Sequence, residues 1–516
     1  MDTPGPFSRG DIPAEHLAAL SHEFRTPLNG VIGMARLLAG TALSAEQSAY
    51  VAALTECGDH LLSLVNDVLD YARLGADHFE LHPGVVRVED VLRSVTELLS
   101  SRTYDKGIDI AWGAEAGIPP VLADEGRLKQ ILLNFAGNAV KYVTAGGVLI
   151  TAELARQGRL RLTVSDTGPG VPETLREQIF EPFVQADPGG AANLGGAGLG
   201  LAIAKRIAGA MGGCVGVEVS SGGGAQFWFE ASLPPAGGAP RERPLRGHSV
   251  AIASPSAIVR AGAALQIQAS GGRAIPAASL EGALALAPCG TALLVDHAGR
   301  PAGRRLPPAP GRHAVILLAP EERALIPSFR RAGYAGYLIK PLRRASLVAR
   351  VLAVIGADAA PPAIEDDRVE ARDPPPPPGV AVHAGKRVLL AEDNPINAML
   401  ARTLLEREGC AVDHVADGEA AVEALTRGRY DLALMDVRMP LMGGKAATTA
   451  VRAAGVATPV VALTANAFED DRRACLAAGM DDFLVKPLTP EALRVALARW
   501  IGGRWTKGPA RVTLAS

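Results

Sequence analysis

The sequence predicts a multidomain protein in which an α-helical hairpin is followed by three α/β segments. Its 516 residues exceed one compact core, since a domain holds about 150 residues. Residues 12–76 show helical periodicity without a strand signal, whereas short apolar strands alternate with helices in most of the remaining chain. Five consecutive prolines at 374–378 interrupt the second pattern and indicate a semi-rigid spacer between domains.

Composition excludes several classes of function. Lys and Arg number 52 against 54 Asp and Glu, a net charge of −2, so the chain has no overall field for binding nucleic acid or an anionic membrane. No apolar run reaches the roughly 18 residues of a membrane span, and the N-terminus lacks the basic and apolar regions of a signal peptide. We therefore expect a cytoplasmic protein.

The five cysteines are isolated in sequence, which argues against zinc sites and a disulfide framework.

The helical hairpin is predicted over residues 1–80. Two periodic stretches, about 14–40 and 46–74, flank a short break. Ser44 and Gln47 fit a capping box that starts the second helix, whose apolar stripe is too broad for one hairpin to bury. We therefore expect two copies of the chain to form a dimeric four-helix bundle, a homodimer.

The three α/β segments are placed at 85–235, 247–356 and 386–503. The second and third repeat the same alternation of short apolar strands and helices, which is typical of a doubly wound parallel sheet of flavodoxin-like type. An acidic, proline-rich linker at 357–385 separates them, and residues 504–516 form a tail.

A histidine beside a carboxylate stands early in the first helix, within the string SHEFRTPLNG at 21–30. A lone helical histidine is usually a surface or core residue, but the whole string resembles the phosphoacceptor box of sensor histidine kinases. The resemblance implies that His22 attacks the γ-phosphate of ATP and that Glu23 takes up the ring proton. It also links Thr26 to water-mediated dephosphorylation.

The first α/β segment carries Asn134, Asn138 and Lys141 at spacings that place them on one helix face. Alone, this polar stripe could be a solvated face. It is followed in order by DTGPG, FEPF and GAGLGLAI, which begin at Asp166, Phe180 and Gly196. The four strings together resemble the nucleotide-binding boxes of the GHKL-type ATPase domain, and we call residues 85–235 the ATPase segment.

That resemblance implies ATP and Mg²⁺ as cofactors. The two asparagines would coordinate Mg²⁺, Lys141 would meet phosphate and Asp166 would accept a hydrogen bond from the adenine amino group. Glycines let the lid backbone approach the phosphates. These glycines are Gly168, Gly170, Gly196, Gly198 and Gly200. Ala197 stands where the family often has Thr, which removes a hydroxyl from the lid.

In the last α/β segment, predicted strands end in acidic residues, Glu392 with Asp393 and then Asp436. Such residues meet at one edge of a parallel sheet, and clustered acids need a divalent cation. Later strands end at Thr464 and Lys486. The set resembles a response-regulator receiver. This implies that Asp436 is the phosphoacceptor, that Glu392 and Asp393 hold Mg²⁺ with it, and that Thr464 and Lys486 contact phosphoryl oxygens.

The middle α/β segment matches the same template without the acidic pair, because Ser254 and Pro255 stand in its place. Asp296 takes the acceptor position and Lys340 the lysine position, while Ala319 replaces the hydroxyl residue. Since Mg²⁺ then has no site, we interpret residues 247–356 as a pseudo-receiver that is not phosphorylated.

The pseudo-receiver also carries a local excess of positive charge, ten basic against two acidic residues between 300 and 344. Tyr334 and Tyr337 are interleaved, so guanidinium groups and aromatic faces converge. The residues indicate an anionic, purine-containing ligand, with a solvated face or a docking surface for a neighbouring domain as alternatives. The resemblance to bacterial hybrid kinases of this layout implies cyclic di-GMP. The expected ligand residues are Arg330, Arg331, Tyr337, Pro341, Arg343 and Arg344.

The linker is the electrostatic complement of this surface, with six acids and two arginines between 358 and 373. We expect Asp366, Asp367 and Arg368 to dock on the pseudo-receiver and restrain the kinase. An anionic ligand would compete with them and raise activity.

Together these resemblances imply a hybrid histidine kinase that autophosphorylates His22 and passes the phosphoryl group to Asp436. A downstream phosphotransfer protein or response regulator is the expected partner. The alternative is a phosphorelay phosphatase or scaffold whose pseudo-receiver is only a protein docking module, which Ala197 and the spacing of Glu23 and Thr26 leave open.

Overall fold

The structure is a computed structural model. It describes residues 27–28, 30–35, 38–39, 41, 43–73, 81–184, 198–220, 222–237, 243–288, 290–299, 313–356, 383, 385–464, 469–486 and 488–501. The chain divides into two compact units, one built from residues 1–18 and 66–372 and the other from 19–65 and 373–516.

The long helix α1 (Ala45–Arg73) begins with the capping box that the sequence predicts. The Ser44 amide donates to Gln47 Oε1 at 2.9 Å, and the Gln47 amide donates to Ser44 Oγ at 3.2 Å. Residues 30–35 are also helical. A Cβ added at Gly58 would lie 2.6 Å from Ile32, so the two helices approach closely there.

The ATPase segment contains a two-stranded sheet and a mixed five-stranded sheet of order β2-β4-β5-β7-β6. β2 runs parallel to β4, and the other pairs are antiparallel. Helix α3 starts where the Asp124 side chain accepts from the Arg127 amide at 3.1 Å. The elements are β1 (Gly84–Val86), α2 (Val88–Asp105), β2 (Asp109–Ala114), β3 (Val121–Ala123), α3 (Glu125–Tyr142), β4 (Gly147–Leu154), β5 (Leu160–Asp166), α4 (Gly200–Ala210), β6 (Cys214–Val219) and β7 (Ala225–Ala231).

The core of this segment lies between the helices and one face of the five-stranded sheet. Phe135 of α3 stacks on Phe227 of β7 with ring centroids 5.6 Å apart. The inward residues of α3 recur at helical spacing, which fixes the outward direction of the polar residues between them.

The pseudo-receiver is a five-stranded parallel sheet of order β12-β11-β10-β8-β9 with helices around it. Its central strands β10 and β11 are buried along their whole length, as expected of a parallel sheet covered on both faces. The elements are β8 (Ser249–Ala253), α5 (Ala257–Ala269), β9 (Arg273–Ala277), α6 (Leu280–Leu286), β10 (Ala292–Asp296), β11 (Ala314–Leu318), α7 (Ile326–Arg331), β12 (Gly336–Ile339) and α8 (Arg344–Ile355).

The receiver repeats this architecture, with sheet order β14-β13-β15-β16-β17. In both sheets the chain places its first strand between the second and the third, which is the flavodoxin-like order and confirms the predicted fold class. The elements are β13 (Arg387–Ala391), α9 (Pro395–Arg407), β14 (Ala411–Val415), α10 (Gly418–Arg427), β15 (Leu432–Asp436), α11 (Gly444–Ala453), β16 (Val460–Thr464), α12 (Glu469–Ala477), β17 (Asp482–Val485) and α13 (Pro490–Trp500).

Among the helices that the structure describes, none is both long enough and apolar enough to span a membrane.

Candidate functional sites

The carboxyl edge of the receiver sheet brings together the three predicted carboxylates. Ligand oxygens of Glu392, Asp393 and Asp436 all lie within 4.8 Å of one another. Glu392 is 1% exposed and Asp436 is buried, whereas Asp393 is exposed. Acids this close repel each other unless a cation lies between them, and oxygen donors are those that Mg²⁺ prefers. The donor set therefore fits Mg²⁺.

Lys486 completes this cluster. Its Nζ lies 2.5 Å from Glu392 Oε2 and 2.7 Å from Asp436 Oδ2. Burial raises the pKa of Glu392 above its ordinary value; the Lys486 ammonium opposes that rise and the Asp436 carboxylate adds to it. One ammonium against three carboxylates leaves the edge with net negative charge. Thr464, also predicted, is buried at the end of β16, and its carbonyl accepts from the Lys486 amide at 2.7 Å.

Two local features hold these acids in place. A Cβ at Gly444 would lie 2.0 Å from the Asp436 carbonyl oxygen, so only glycine lets α11 start this close to the acceptor. The Asn397 amide group donates to Glu392 Oε1 at 2.9 Å. Sequence reasoning missed Asn397, because a single asparagine in the first turn of a helix carries no distinctive pattern.

The predicted nucleotide-binding residues of α3 lie on one half-buried face of the helix. The Asn134 amide group donates to the Gly200 carbonyl at 2.8 Å and so joins α3 to the first residue of α4. Asn138 lies one turn further along, and Lys141 Nζ lies 4.9 Å from the centroid of the Tyr142 ring. Amide oxygens and an ammonium on one face suit Mg²⁺ and phosphate.

Asp166 closes the other side of this site. Its Oδ1 accepts from the Gly168 amide at 2.8 Å and from the Ala225 amide at 3.1 Å. Burial raises the pKa of Asp166, and the two backbone donors oppose that rise without cancelling it. Gly170 and Gly198 have φ of +76° and +68°, a left-handed backbone that favours glycine.

Seven predicted site residues lie outside the described part of the chain. They are His22, Glu23, Thr26, Gly196, Asp366, Asp367 and Arg368.

The pseudo-receiver has a different arrangement at the equivalent edge. Ser254 Oγ donates to Asp296 Oδ2 at 2.6 Å, and Lys340 Nζ lies 3.1 Å from Asp296 Oδ1. Lys340 Nζ also lies 3.4 Å from Asp109 Oδ1 at the start of β2 in the ATPase segment. Burial by itself lowers the pKa of Lys340, but Asp296 and Asp109 together raise it above its ordinary value. The ammonium therefore stays charged at neutral pH, and it links two segments.

The register corrects one sequence assignment. Asp436 pairs with Leu463, and Asp296 pairs with Leu317. The residue equivalent to Thr464 is therefore Leu318 and not Ala319. The backbone agrees, since the Lys340 amide donates to the Leu318 carbonyl at 2.8 Å, as the Lys486 amide does to that of Thr464. Either residue lacks a hydroxyl, so the interpretation of an incomplete site is unchanged.

Part of the predicted ligand surface contacts the ATPase segment. Arg343 Nε lies 2.8 Å from Glu97 Oε1, and an Arg344 terminal nitrogen lies 2.9 Å from Glu89 Oε1, both on α2. Pro341 lines a small cavity beside β2 and α5. The two α2 carboxylates were missed from the sequence, since acids on a helix usually indicate a solvated face.

Tyr337 and the arginines of α7 occupy the other part of that surface. Tyr337 is only 2% exposed, with the Arg350 guanidinium 5.0 Å and the Arg330 guanidinium 5.7 Å from its ring centroid. A base cannot stack on this ring unless an arginine moves. Arg331 is exposed, and its guanidinium approaches Ser328 Oγ at 3.4 Å.

The pseudo-receiver and the ATPase segment also contact through α5. Gln266 donates to the Trp112 carbonyl of β2 at 2.9 Å and to the Leu342 carbonyl at 3.1 Å. A Cβ at Gly262 would lie 2.7 Å from Ala111, so the helix meets the strand at close range. These two segments therefore form a tightly packed pair within one unit.

Three family models match the chain. They are the His Kinase A phospho-acceptor domain at 14–77, the histidine kinase-, DNA gyrase B- and HSP90-like ATPase at 123–235, and the response regulator receiver domain at 388–498. The order of these matches is the order of the predicted domains.

The chain is also similar to individual proteins. The crystal structure of ShkA full-length in complex with AMPPNP is 57% identical, with a TM-score of 0.63, and covers 95% of this chain and 100% of that chain. The crystal structure of the ShkA Rec1 domain in complex with c-di-GMP is 55% identical, with a TM-score of 0.21, and covers 21% of this chain and 94% of that one. The sensor protein GacS of Pseudomonas syringae pv. syringae is 33% identical over 523 residues, which are 95% of this chain and 56% of GacS.

The chain thus spans about half the length of the curated relatives that it matches, and the whole of ShkA. The matching domains are those of protein-histidine kinases, which take their phosphoryl group from ATP. With its helical phosphoacceptor domain, its ATPase domain and its receiver, the chain belongs to the family of hybrid sensor histidine kinases.

Proposed function

We propose that this chain autophosphorylates His22 from ATP and transfers the phosphoryl group to Asp436. The observation that carries the proposal is the receiver edge, where the buried Asp436 lies in a cluster of three acids beside Lys486. Such an edge accepts a phosphoryl group from a phosphorylated donor. In this proposal the donor is phosphorylated His22, which forms from ATP bound to the ATPase segment of the chain.

On the donor side, Asp166 selects adenine, because a buried carboxylate whose Oδ1 is fixed by two backbone amides presents a rigid acceptor to an amino group. Asn134 and Asn138 would hold Mg²⁺, which offsets phosphate charge, and Lys141 would bind phosphate oxygens. His22 would supply the nucleophilic nitrogen and Glu23 would take its proton.

On the acceptor side, an Asp436 carboxylate oxygen attacks phosphorus, and the bond from phosphorus to the histidine nitrogen breaks. Glu392 and Asp393 would hold Mg²⁺, which offsets the negative charge on the transferring group. Lys486, bonded to two carboxylates before transfer, can donate to the new phosphoryl oxygens from nearly the same place.

The apolar stripe of α1 supports a homodimer. Leu54, Leu61 and Val68 are each about half exposed, and a second hairpin would bury them as a four-helix bundle. Beyond the dimer, a downstream phosphotransfer protein or response regulator would receive the phosphoryl group.

We also propose that a nucleotide second messenger, cyclic di-GMP, binds the basic surface of the pseudo-receiver. Arg343 and Arg344 already pair with carboxylates of α2, so this surface binds anionic oxygens. Two ligand phosphates would compete with Glu97, Glu89 and the acidic linker residues. Loss of those contacts would free the ATPase segment to reach His22.

A second candidate function rests on the packing of the same segments. Gln266, Lys340, Arg343 and Arg344 all contact the ATPase segment, and a pseudo-receiver used only as a protein docking module would need nothing more. In that case the chain would act as a phosphorelay phosphatase or scaffold.

Labelled ATP tests the kinase proposal. The full chain should incorporate label, His22→Ala should incorporate none, and Asp436→Asn should retain label on histidine without transfer. Label on His22→Ala would refute the nucleophile. A wild-type chain that takes no label from ATP, yet removes phosphate from a phosphorylated partner, would establish the phosphatase instead.

Calorimetry of the full chain with cyclic di-GMP tests the regulatory proposal. Binding that Arg330→Ala with Arg331→Ala weakens, together with raised autophosphorylation, supports it. Asp366→Ala with Asp367→Ala should raise basal activity without ligand. Absence of binding would leave the docking module as the function of this segment.

A further inference from the structure

Lys106 lies in the turn after α2, and its ammonium group reaches the C-terminal end of α3. Its Nζ is 2.7 Å from the Val140 carbonyl oxygen, 3.0 Å from that of Lys141 and 3.3 Å from that of Val143. Three backbone carbonyls therefore converge on one ammonium.

The last carbonyls of a helix have no partner within the helix and carry the negative end of its dipole. An ammonium offers three donors, and Lys106 places them among two such carbonyls, those of Val140 and Lys141, and the carbonyl of Val143 just beyond the helix. A helix end that would otherwise repel a nearby phosphate is thereby neutralised.

The contacted residues belong to the nucleotide site. One carbonyl is that of Lys141, the proposed phosphate-binding residue. Another belongs to Val143, which is buried and whose Cγ2 lies 3.4 Å from a Cβ built at Gly168. Gly168 in turn donates to Asp166, the proposed adenine acceptor. One ammonium thus fixes the phosphate side and the adenine side together.

Most of the stability of α3 comes from its buried face and not from this contact. Ile131, Leu132 and Phe135 are buried in the core, whereas Lys106 is exposed and its loss would let water hydrate the helix end. The contact therefore affects the precise position of the helix end more than the formation of the helix.

We infer that Lys106 is a positioning residue of the nucleotide site, acting through the backbone of Lys141 and Val143. The inference rests on the proposed nucleotide site and names a residue through which that site is held. It binds no nucleotide atom itself.

The test measures AMPPNP binding to the full chain by calorimetry with Mg²⁺, and KM for ATP and kcat in autophosphorylation. Lys106→Met keeps the side-chain stem and removes the charge, and we expect about tenfold weaker binding, since charge-assisted hydrogen bonds are lost. KM should rise by a similar factor, while kcat at saturating ATP changes by less than about threefold.

Two further variants separate positioning from a general effect. Lys106→Arg should restore most of the affinity, because it returns the positive charge. Lys129→Met is the matched control, since Lys129 lies on the same α3 and pairs with the exposed Glu125 at 2.7 Å. It should bind AMPPNP as the wild type does.

Wild-type affinity in Lys106→Met, or an equal loss in Lys129→Met, would overturn the inference. If Lys106→Met does not fold, Lys106→Gln serves in its place. Its neutral amide donates weaker hydrogen bonds than an ammonium, so its affinity should fall at least about threefold below wild type, and wild-type affinity would overturn the inference equally. A wild-type chain that fails to bind AMPPNP would contradict the proposed function instead.

Discussion

The receiver and the pseudo-receiver have the same strand order and differ at one edge of the sheet. In the receiver, Lys486 joins two carboxylates of its own domain, Glu392 and Asp436. In the pseudo-receiver, Lys340 pairs with Asp296 of its own domain and with Asp109 of the ATPase segment.

The difference originates in one replaced position. Ser254 stands where the receiver has Glu392, since both amides donate to the strand that follows in the chain, at 3.1 Å each. The Ser254 side chain is uncharged, so it cannot form an ion pair with the lysine. Its hydroxyl donates a hydrogen bond to Asp296 instead. The lysine, left with one acid fewer, pairs with a carboxylate from another segment. Where serine replaces one carboxylate, the lysine thus joins two segments instead of two acids of one domain.

The largest expected effect comes from removing each aspartate in turn. Asp436→Asn should abolish transfer from histidine, because an amide is a poor nucleophile and a weak metal ligand. Asp296→Asn should leave transfer unchanged, since its carboxylate is fully buried beside Lys340 and Ser254. Electrophoresis that separates phosphorylated forms measures both. Alkali-labile acyl phosphate on Asp296 would show that both domains accept the phosphoryl group.

Replacing the two lysines should separate chemistry from stability. Lys486→Met should slow transfer by about 10²-fold, because one donor to the phosphoryl oxygens is lost. Lys340→Met should leave the transfer rate unchanged and destabilise the pseudo-receiver by about 3 kcal/mol, because the buried Asp296 charge loses its partner. Hydrogen exchange of the β10 amides measures the loss of stability. Unchanged protection in Lys340→Met would show that the lysine does not stabilise the buried Asp296.

A smaller effect is expected where the pseudo-receiver meets α2. Glu89→Gln with Glu97→Gln removes the two ion pairs between α2 and the pseudo-receiver. The pair of Glu97 is about one-third exposed and the carboxylate of Glu89 is buried, and together they are worth about 1 kcal/mol. The released state should gain about 1 kcal/mol, and basal autophosphorylation should rise by up to about fivefold. Glu153→Gln, a surface acid of β4, is the control. Equal basal activity in the wild type, the double variant and the control would mean that these ion pairs do not restrain the kinase.

The smallest effect concerns Asp413 of the receiver, whose place in the pseudo-receiver is taken by Ile275. The Tyr430 hydroxyl and Arg387 hold the pKa of Asp413 below its ordinary value. A depressed pKa gives stability above the unfolded value of about 3.9, which is lost as pH falls through the folded pKa. Because the pair is exposed, we expect less than about 0.5 kcal/mol.

Asp413→Asn should therefore weaken protection of β14 slightly at pH 7, and the difference from wild type should vanish at an acidic pH below the folded pKa of Asp413. Hydrogen exchange at the two pH values measures it. If the difference in protection between wild type and variant grew as the pH fell, the predicted pH dependence of the Asp413 contribution would be wrong. β9, with Ile275, is the internal reference.

Much of the fold and the receiver site could be predicted from sequence because their signals are local. Glu392, Asp393, Asp436 and Lys486 each follow an apolar strand, and parallel strands bring such ends together. The one-residue error at Leu318 arose because the end of a strand cannot be assigned to a single residue from an apolar run.

The contacts between segments could not be predicted in this way. Lys340 and Asp109 are 231 positions apart, and Arg343 and Glu97 are 246 apart. Nothing in either local pattern specifies the partner. Tyr337 shows the same limit, since an aromatic residue among arginines fits ligand stacking and buried packing equally well until its exposure is known.

The position of β2 has a consequence for the released state of the kinase. β2 is an edge strand of the ATPase sheet, and Gln266 satisfies its outward Trp112 carbonyl while α5 packs against it. An uncovered edge strand is a template on which another chain can add a strand. A variant that is permanently released should therefore be prone to aggregate through β2, and solubility would then select for a pseudo-receiver that returns to the strand after each round of signalling.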